Sequence, residues 1–171
     1  MSIAALVMLG PVHFGQWLSL LHYRTRSKAW DRISDDLSIG RVLTKRETKR
    51  LKSKGVSAVI DLTAEFSEVK ALRGEDLPYM NLQVLDLTAA TPEQIAQALA
   101  FIDEHTQRGP VFMHCKAGYS RSAAVAGAHL LHTGRAKDAD GAAAMLRERR
   151  PGIVIRPEAM AAIREFALSR R

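Results

Sequence analysis

The chain has 171 residues, a length that suits one globular domain with a single core. Its 25 Lys and Arg against 18 Asp and Glu give a formal net charge of +7, so its long-range field favours anionic partners. The single cysteine excludes an intramolecular disulfide. Nucleic acid is not expected as a partner, because the sequence has no nucleic-acid-binding motif and only two Trp, three Tyr and five Phe to stack on bases.

An apolar and basic segment, residues 1–29, precedes the domain. Its apolar run at 3–9 is interrupted at Gly10, and its positive charges follow the apolar residues. This pattern fits neither a spanning helix of roughly 20 apolar residues nor a secretory signal. Two interpretations stay open: a membrane-interface anchor with Trp17 and Tyr23 at head-group depth, or a segment that is packed on the domain or poorly ordered. The lone thiol fits a reducing compartment, and if the segment sits in a bilayer the positive-inside rule predicts a cytoplasmic domain.

The first half of the domain, which we expect to span residues 30–171, alternates strands with a helix. Runs of apolar and β-branched residues predict strands over 37–40, 56–62 and 79–85. A basic helix is predicted over 44–54, because Thr44 can cap it, Glu47 completes a capping box and Gly55 ends it. Residues 63–78 are predicted to form a loop with a short helical piece.

The second half contributes one more strand and four helices. Thr91-Pro92-Glu93 predicts the start of a helix that Gly109-Pro110 ends, and a strand follows over 111–114. Further helices are predicted over 121–133, 138–149 and 157–169. Strands that alternate with helices predict an α/β fold, with a central, mainly parallel sheet of four or five strands and helices on both faces.

The chemistry of the chain is concentrated in residues 111–122, which predict a strand, a tight loop and a helix. Backbone N–H groups of such a loop point inward beside the positive end of the helix dipole, so they bind an anion and favour Cys115 as a thiolate. Arg121 lies six residues later, and its planar fork suits two phosphate oxygens. Ser122 is predicted to donate a hydrogen bond to the Cys115 sulfur and ease its departure.

The pattern Cys-x5-Arg-Ser preceded by His, at residues 114–122, resembles the loop of the protein tyrosine phosphatase superfamily and most of all its dual-specificity branch. The resemblance covers roughly residues 30–168. It implies a protein tyrosine phosphatase-like fold and metal-independent hydrolysis of phosphate monoesters through a thiophosphate on Cys115, without a cofactor. It also implies a phosphate-binding loop that consists of Lys116, Ala117, Gly118, Tyr119, Ser120 and Arg121.

The mechanism needs a general acid, because the departing alkoxide or phenoxide must be protonated. The resemblance assigns this role to Asp86, which follows a predicted strand, and leaves Asp61 and Asp76 as alternatives. His114 either tunes the Cys115 thiolate or is a structural residue. One loop glutamate is expected to orient Arg121, and the candidates are Glu65, Glu68 and Glu75.

Several functions and substrates fit this site. The first is a dual-specificity phosphatase of phosphotyrosine and phosphoserine or phosphothreonine in proteins. The second is a phosphatase of anionic phospholipid head groups, because Lys116-Ala117-Gly118 also resembles the loop of lipid phosphatases, although many of those have a basic residue where this chain has Tyr119. Lys116 and Tyr119 are expected at the pocket mouth, where they select the substrate. An inactive phosphate-binding module and a rhodanese-like sulfur transferase are the remaining alternatives.

The basic residues outside the loop allow two interpretations. The basic helix over 44–54 and the cluster of Arg147, Arg149 and Arg150 either face an anionic membrane surface or form a solvated face. The sequence does not indicate an oligomeric state.

Overall fold

The computed structural model describes residues 28–64 and 77–170. Nearly all of the segment 1–29 and most of the predicted loop over 63–78 therefore lie outside the described residues. Within the described ranges, no helix has both the length and the apolar character needed to cross a membrane.

A five-stranded sheet forms the centre of the domain, with the strand order β1-β2-β5-β3-β4. β1 runs antiparallel to β2, and the remaining neighbours are parallel, which confirms the mainly parallel sheet. The strands are β1 (Trp30–Arg32), β2 (Leu37–Gly40), β3 (Ala58–Thr63), β4 (Tyr79–Val84) and β5 (Val111–His114). In the register of the sheet, His114 lies beside both Gly40 and Asp61, so the carboxyl ends of three strands share one edge.

Helices cover both faces of this sheet, as predicted. They are α1 (Lys45–Lys52), α2 (Pro92–His105), α3 (Ser120–His132), α4 (Ala139–Arg149) and α5 (Pro157–Ser169), with a 3-10 turn at Thr106–Arg108. Side chains alternate along β5, because successive residues of a strand point to opposite faces. Val111 and Met113 pack in the large core beneath α2 to α5, whereas Phe112 packs with Leu51 of α1 on the other face.

Two helix starts were predicted from capping residues, and both are confirmed. Thr44 accepts a hydrogen bond from the Glu47 backbone N–H, and the Glu47 carboxylate accepts one from the Thr44 N–H at 2.9 Å. Thr91 and Gln94 form the same reciprocal pair at the start of α2. Each pair satisfies backbone N–H groups that the first helical turn leaves without a partner.

Arg41 adds two charge-assisted bonds to the first cap, with its guanidinium nitrogens 2.8 and 3.1 Å from the Glu47 carboxylate oxygens. Partial burial acts to raise the pKa of Glu47, but the hydrogen bonds from Arg41 and Thr44 outweigh it and lower that pKa from 4.5 to about 2. This stabilisation is complete above pH 4.5 and is lost as the pH falls through about 2, because the folded state binds the proton less readily than the unfolded chain.

Replacing Glu47 by Gln is expected to lower the free energy of unfolding by about 1 kcal/mol at neutral pH. The difference from wild type should shrink steadily as the pH is lowered below 4.5. Urea unfolding at a series of pH values measures it, with the exposed Glu148→Gln as the matched control. A difference that stays constant with pH would show that the carboxylate charge does not stabilise the fold.

Candidate active site

The loop between β5 and α3 has the predicted strand, loop and helix arrangement. β5 ends at His114 and α3 begins at Ser120, so residues 115–119 make the turn. Gly118 has a φ of +70°, and a Cβ at this position would lie 2.5 Å from the backbone C and O atoms of Gly40. Only glycine meets both requirements. The loop is also joined to the chain after β2, where the Val42 N–H donates to the Lys116 carbonyl at 3.3 Å.

A pocket of about 260 Å³ lies on this loop, at the carboxyl edge of the sheet. It brings Cys115, Arg121 and Asp86 together, which are the nucleophile, phosphate ligand and acid that the sequence predicts. Cys115 is 3% exposed and lies between the end of β5 and the first turn of α3. Its thiol therefore lies near the positive end of the α3 dipole, a position that suits a bound anion.

The rest of the predicted phosphate-binding loop lines the same pocket, with one exception. The pocket wall includes Lys116, Ala117, Tyr119 and Ser120. Lys116 and Tyr119 are the two residues that were expected at the pocket mouth. Gly118 does not line the pocket and instead lies against Gly40. Its role in the structure is to turn the backbone.

Arg121 is held by the carboxyl ends of two neighbouring strands. One terminal nitrogen, Nη1, donates to the Val84 carbonyl at 3.0 Å and to the Leu62 carbonyl at 3.5 Å. The other, Nη2, lies 3.3 Å from Oδ1 of Asp86. The Arg121 side chain is only 4% exposed, and these contacts hold its guanidinium in place before any ligand arrives. The three glutamates proposed to orient it, Glu65, Glu68 and Glu75, lie outside the described residues.

The structure separates the candidate acids. Asp86 lines the pocket with 54% of its side chain exposed. Asp61 is fully buried outside the pocket, and its carboxylate accepts hydrogen bonds from the Thr63 N–H at 2.8 Å, the Thr63 hydroxyl at 2.7 Å and the Tyr79 hydroxyl at 2.6 Å. Asp61 therefore has a structural role, and Asp76 lies outside the described residues. Within residues 28–64 and 77–170, no group of three or more His, Cys, Asp or Glu side chains is arranged to hold a metal ion.

Comparison with known families identifies the domain. The dual specificity phosphatase catalytic domain matches residues 41–168, which is most of the chain. The chain belongs to this family. It is accordingly a phosphoric monoester hydrolase of the protein tyrosine and dual specificity phosphatase type, and the predicted resemblance and enzyme class are confirmed.

Two curated relatives differ in substrate. The phosphatidylglycerophosphate phosphatase PTPMT2 of Arabidopsis thaliana is 27% identical over 158 residues, which cover 87% of this chain and 68% of the relative. The dual specificity protein phosphatase Mpk3 of Drosophila melanogaster is 29% identical over 119 residues, which cover 68% of this chain. The match spans only 28% of Mpk3, so that relative has much chain with no counterpart here.

Solved structures share the fold. PTPMT1 superposes with a TM-score of 0.73 at 25% identity, covering 82% of this chain and 94% of that one. Its complex with PI(5)P superposes with a TM-score of 0.75 at 23% identity, covering 83% of this chain and 96% of that one. Tk-PTP in its active form gives a TM-score of 0.73 at 24% identity, covering 82% and 97%. These likenesses confirm the protein tyrosine phosphatase-like fold.

His114, the last residue of β5, directly precedes the phosphate-binding loop of this dual specificity phosphatase. His114 is fully buried, stacks on Phe112 with ring centroids 5.5 Å apart, and has Nδ1 3.7 Å from Oδ1 of Asp61. Burial lowers the pKa of His114 more strongly than the Asp61 carboxylate raises it, so the ring is neutral at pH 7. The role of His114 in tuning Cys115 stays a prediction.

The predicted hydrogen bond from Ser122 to the Cys115 sulfur is not formed in this structure. The Ser122 hydroxyl is buried at the start of α3 and has no hydrogen-bond partner among the described residues. The hydrogen of a hydroxyl can rotate about the C–O bond, but a hydrogen bond also needs an acceptor atom within reach. The catalytic role of Ser122 stays a prediction.

Arg150 supports the phosphate-binding loop of this phosphatase, a role that was not predicted from the sequence. It was grouped with Arg147 and Arg149 as a surface charge, but it is only 2% exposed, so the surface interpretation is wrong for it. Its Nε donates to the Gly118 carbonyl at 3.1 Å, Nη1 to Asp31 at 2.6 Å and Nη2 to the Lys28 carbonyl at 3.2 Å. Arg150 thus joins the phosphate loop to the chain before β2.

Arg156 is a second residue whose place at the site was not predicted from the sequence. It is exposed at the start of α5, and it lines the phosphatase pocket together with Val154. Its backbone N–H lies 3.4 Å from the Ser120 hydroxyl oxygen, which accepts the hydrogen bond. The sequence gives no signal for this contact, because the two residues are 36 positions apart and only the packing of α5 on α3 brings them together.

Proposed function

We propose that this chain hydrolyses phosphate monoesters through a covalent thiophosphate on Cys115. The observation that carries the proposal is the shared pocket, in which the Cys115 thiol, the fixed Arg121 guanidinium and the exposed Asp86 carboxyl surround one space. Phosphoryl transfer depends on positioning and charge stabilisation as well as on a nucleophile, and these groups supply all three.

In the first step the Cys115 thiolate attacks phosphorus, and the bond from phosphorus to the leaving oxygen breaks. Protonated Asp86 gives its proton to that oxygen as it departs. In the second step Asp86, now a carboxylate, takes a proton from a water molecule that attacks phosphorus, and the phosphorus–sulfur bond breaks. Inorganic phosphate leaves, and Cys115 returns as a thiolate. Arg121 and the loop N–H groups hold the phosphate oxygens in both steps.

Two substrate classes are supported by different observations. Phosphorylated Tyr, Ser or Thr of proteins are favoured by membership of the dual specificity phosphatase family and by the similarity to Mpk3. Phospholipid head groups are favoured by the longer match to the phosphatidylglycerophosphate phosphatase PTPMT2 and by the fold shared with PTPMT1, which has been solved with PI(5)P. Kinetics decide between them: kcat/KM on phosphotyrosine and phosphothreonine peptides is compared with kcat/KM on vesicles that carry a phospholipid phosphate monoester.

The acid role of Asp86 is tested by replacing it with Asn. Phosphate release from a small aryl phosphate, with EDTA present, is expected to slow by about 10² to 10⁴-fold, because the amide can neither give nor take the proton. The loss should grow as the leaving group becomes more basic, since a poor leaving group depends more on protonation.

Asp140 supplies the control for this experiment. It is an exposed aspartate on α4 with 81% of its side chain accessible, so Asp140→Asn should keep wild-type turnover. Equal loss of kcat/KM across all leaving groups in Asp86→Asn would argue against protonation of the leaving group, because kcat/KM reports the first step. Wild-type protein that binds vanadate but releases no phosphate from aryl phosphates, peptides or lipids would be an inactive phosphate-binding module.

A further inference from the structure

Large apolar side chains gather around the mouth of the catalytic pocket. Among the described residues, the exposed large apolar side chains are Leu85 at 65%, Leu87 at 62%, Val154 at 46% and Leu168 at 63%. Leu87 and Val154 line the pocket itself, and Leu85 directly precedes the pocket residue Asp86. We call Leu85, Leu87 and Val154 the apolar rim. Leu168 lies near the far end of α5, roughly 16 Å along the helix from its first residue.

The rim is an ordered part of the fold. The Thr88 hydroxyl and N–H both donate to the Leu85 carbonyl, at 2.8 and 3.3 Å, and close a turn around Asp86. Leu87 in this turn has a φ of +65°, a left-handed conformation that Gly or Asn adopts more easily than Leu. The chain thus holds an apolar side chain in solvent at a position where a smaller, more polar residue would fit with less strain. Such an arrangement marks an interaction surface.

Positive charges accompany the rim. Lys116 and Arg156 line the same pocket, and Arg156 is exposed at the start of α5. Tyr119, which is half-buried, lines it as well. Leucine and valine side chains beside Lys, Arg and an aromatic hydroxyl are typical of surfaces that lie at the boundary between head groups and acyl chains. The cations match the negative potential of an anionic leaflet.

We infer that the apolar rim, with Lys116 and Arg156, docks on an anionic lipid bilayer and opens the pocket toward the head groups. This inference rests on the proposed function in one respect. If the chain is a phosphatase, docking implies that a lipid surface presents the substrate phosphate. Leu85, Leu87 and Val154 enter the boundary region between head groups and acyl chains, and the two cations pair with lipid phosphates. The docking extends the active site into a membrane-contacting face without altering its chemistry.

The lone cysteine makes a direct test available. Cys115→Ser leaves the chain without cysteine and without the nucleophile, so a single cysteine introduced as Leu85→Cys can carry a fluorophore such as bimane. Leu168→Cys, at an almost equally exposed leucine, is the matched control. Both labelled full-length proteins are mixed with phosphatidylcholine vesicles that contain phosphatidylglycerol and a lipid with a nitroxide quencher in its acyl chain.

We expect quenching at position 85 and little or none at position 168. The quenching at 85 should weaken in high salt and in vesicles of phosphatidylcholine alone, because the attraction of the cations is then screened or absent. Equal quenching at both positions, or none at 85 with anionic vesicles, would overturn the inference. Fluorescence at 85 that responds to phosphopeptides and not to vesicles would also overturn it, in favour of a protein partner.

A second measurement connects docking to turnover. Leu85→Gln is expected to leave turnover of a soluble aryl phosphate unchanged and to raise the KM for a phospholipid monoester in anionic vesicles by about 3- to 10-fold, whereas Leu168→Gln changes neither. Equal KM values for Leu85→Gln and wild type on vesicles would contradict the docking. The quenching experiment uses a variant that cannot turn over, so docking and the proposed chemistry can each fail without the other.

Discussion

Replacing Cys115 with Ser is expected to reduce phosphate release by about 10⁴-fold or more, the scale of effect seen when a covalent nucleophile is removed. The substitution changes one buried atom, and the fold around it should remain intact. A serine hydroxyl is a much weaker nucleophile at neutral pH than a cysteine sulfur. Turnover of aryl phosphate measures the loss.

The control for Cys115→Ser is binding. The variant keeps Arg121 and the loop N–H groups, so it should still bind phosphate and raise the melting temperature when phosphate is added. Turnover near the wild-type rate in this variant would disprove the thiophosphate intermediate. Loss of both turnover and phosphate-dependent stabilisation would indicate a damaged loop, and the comparison of melting temperatures without ligand identifies that case.

Replacing Arg121 with Lys is the second large effect, with an expected loss in kcat/KM of about 10³-fold or more. Lysine keeps the positive charge but cannot bridge two phosphate oxygens, and it cannot at the same time donate to the Val84 carbonyl and approach Asp86 as Arg121 does. Inhibition by vanadate should weaken in parallel, because the same fork binds the ground state and the transition state.

Arg108→Lys provides the matched control for Arg121→Lys. Arg108 is exposed and precedes β5, at the opposite end of that strand from the pocket, so its replacement should alter neither turnover nor vanadate inhibition. An Arg121→Lys variant with wild-type kcat/KM would show that charge alone suffices. That result would contradict bidentate binding of two phosphate oxygens by Arg121.

Much of the fold could be predicted, because its signals are local. Capping residues determined where α1 and α2 begin, and apolar runs located β2, β3, β4 and β5 to within two residues at each end. β1 was not predicted, because Trp30–Arg32 is three residues long and shows no alternation that separates it from a loop. It forms a strand through its antiparallel pairing with β2, which is a tertiary contact.

The residues of the candidate site also fall into two groups, those that local sequence signals predicted and those that depend on tertiary contacts. Cys115 and Arg121 were found because one loop carries both, and Asp86 was found because it follows a recognisable strand. Arg150 and Arg156 were missed as pocket-building residues, since their partners Gly118 and Ser120 lie more than thirty positions away. The Ser122 hydrogen bond was predicted from the position of Ser122 directly after Arg121, and that position alone does not determine where a helical side chain points.

The bonds of Arg150 bear on where this protein can be shortened. A fragment that begins at Trp30, the boundary that composition alone indicates, would keep Asp31 but lack the Lys28 carbonyl that accepts from Nη2. A guanidinium that is 2% exposed would then lose one acceptor at the far end of the side chain whose Nε holds Gly118. Anyone trimming the chain for crystals or assays should therefore cut before Lys28, or else the rigidity of the phosphate loop will be altered by the choice of fragment.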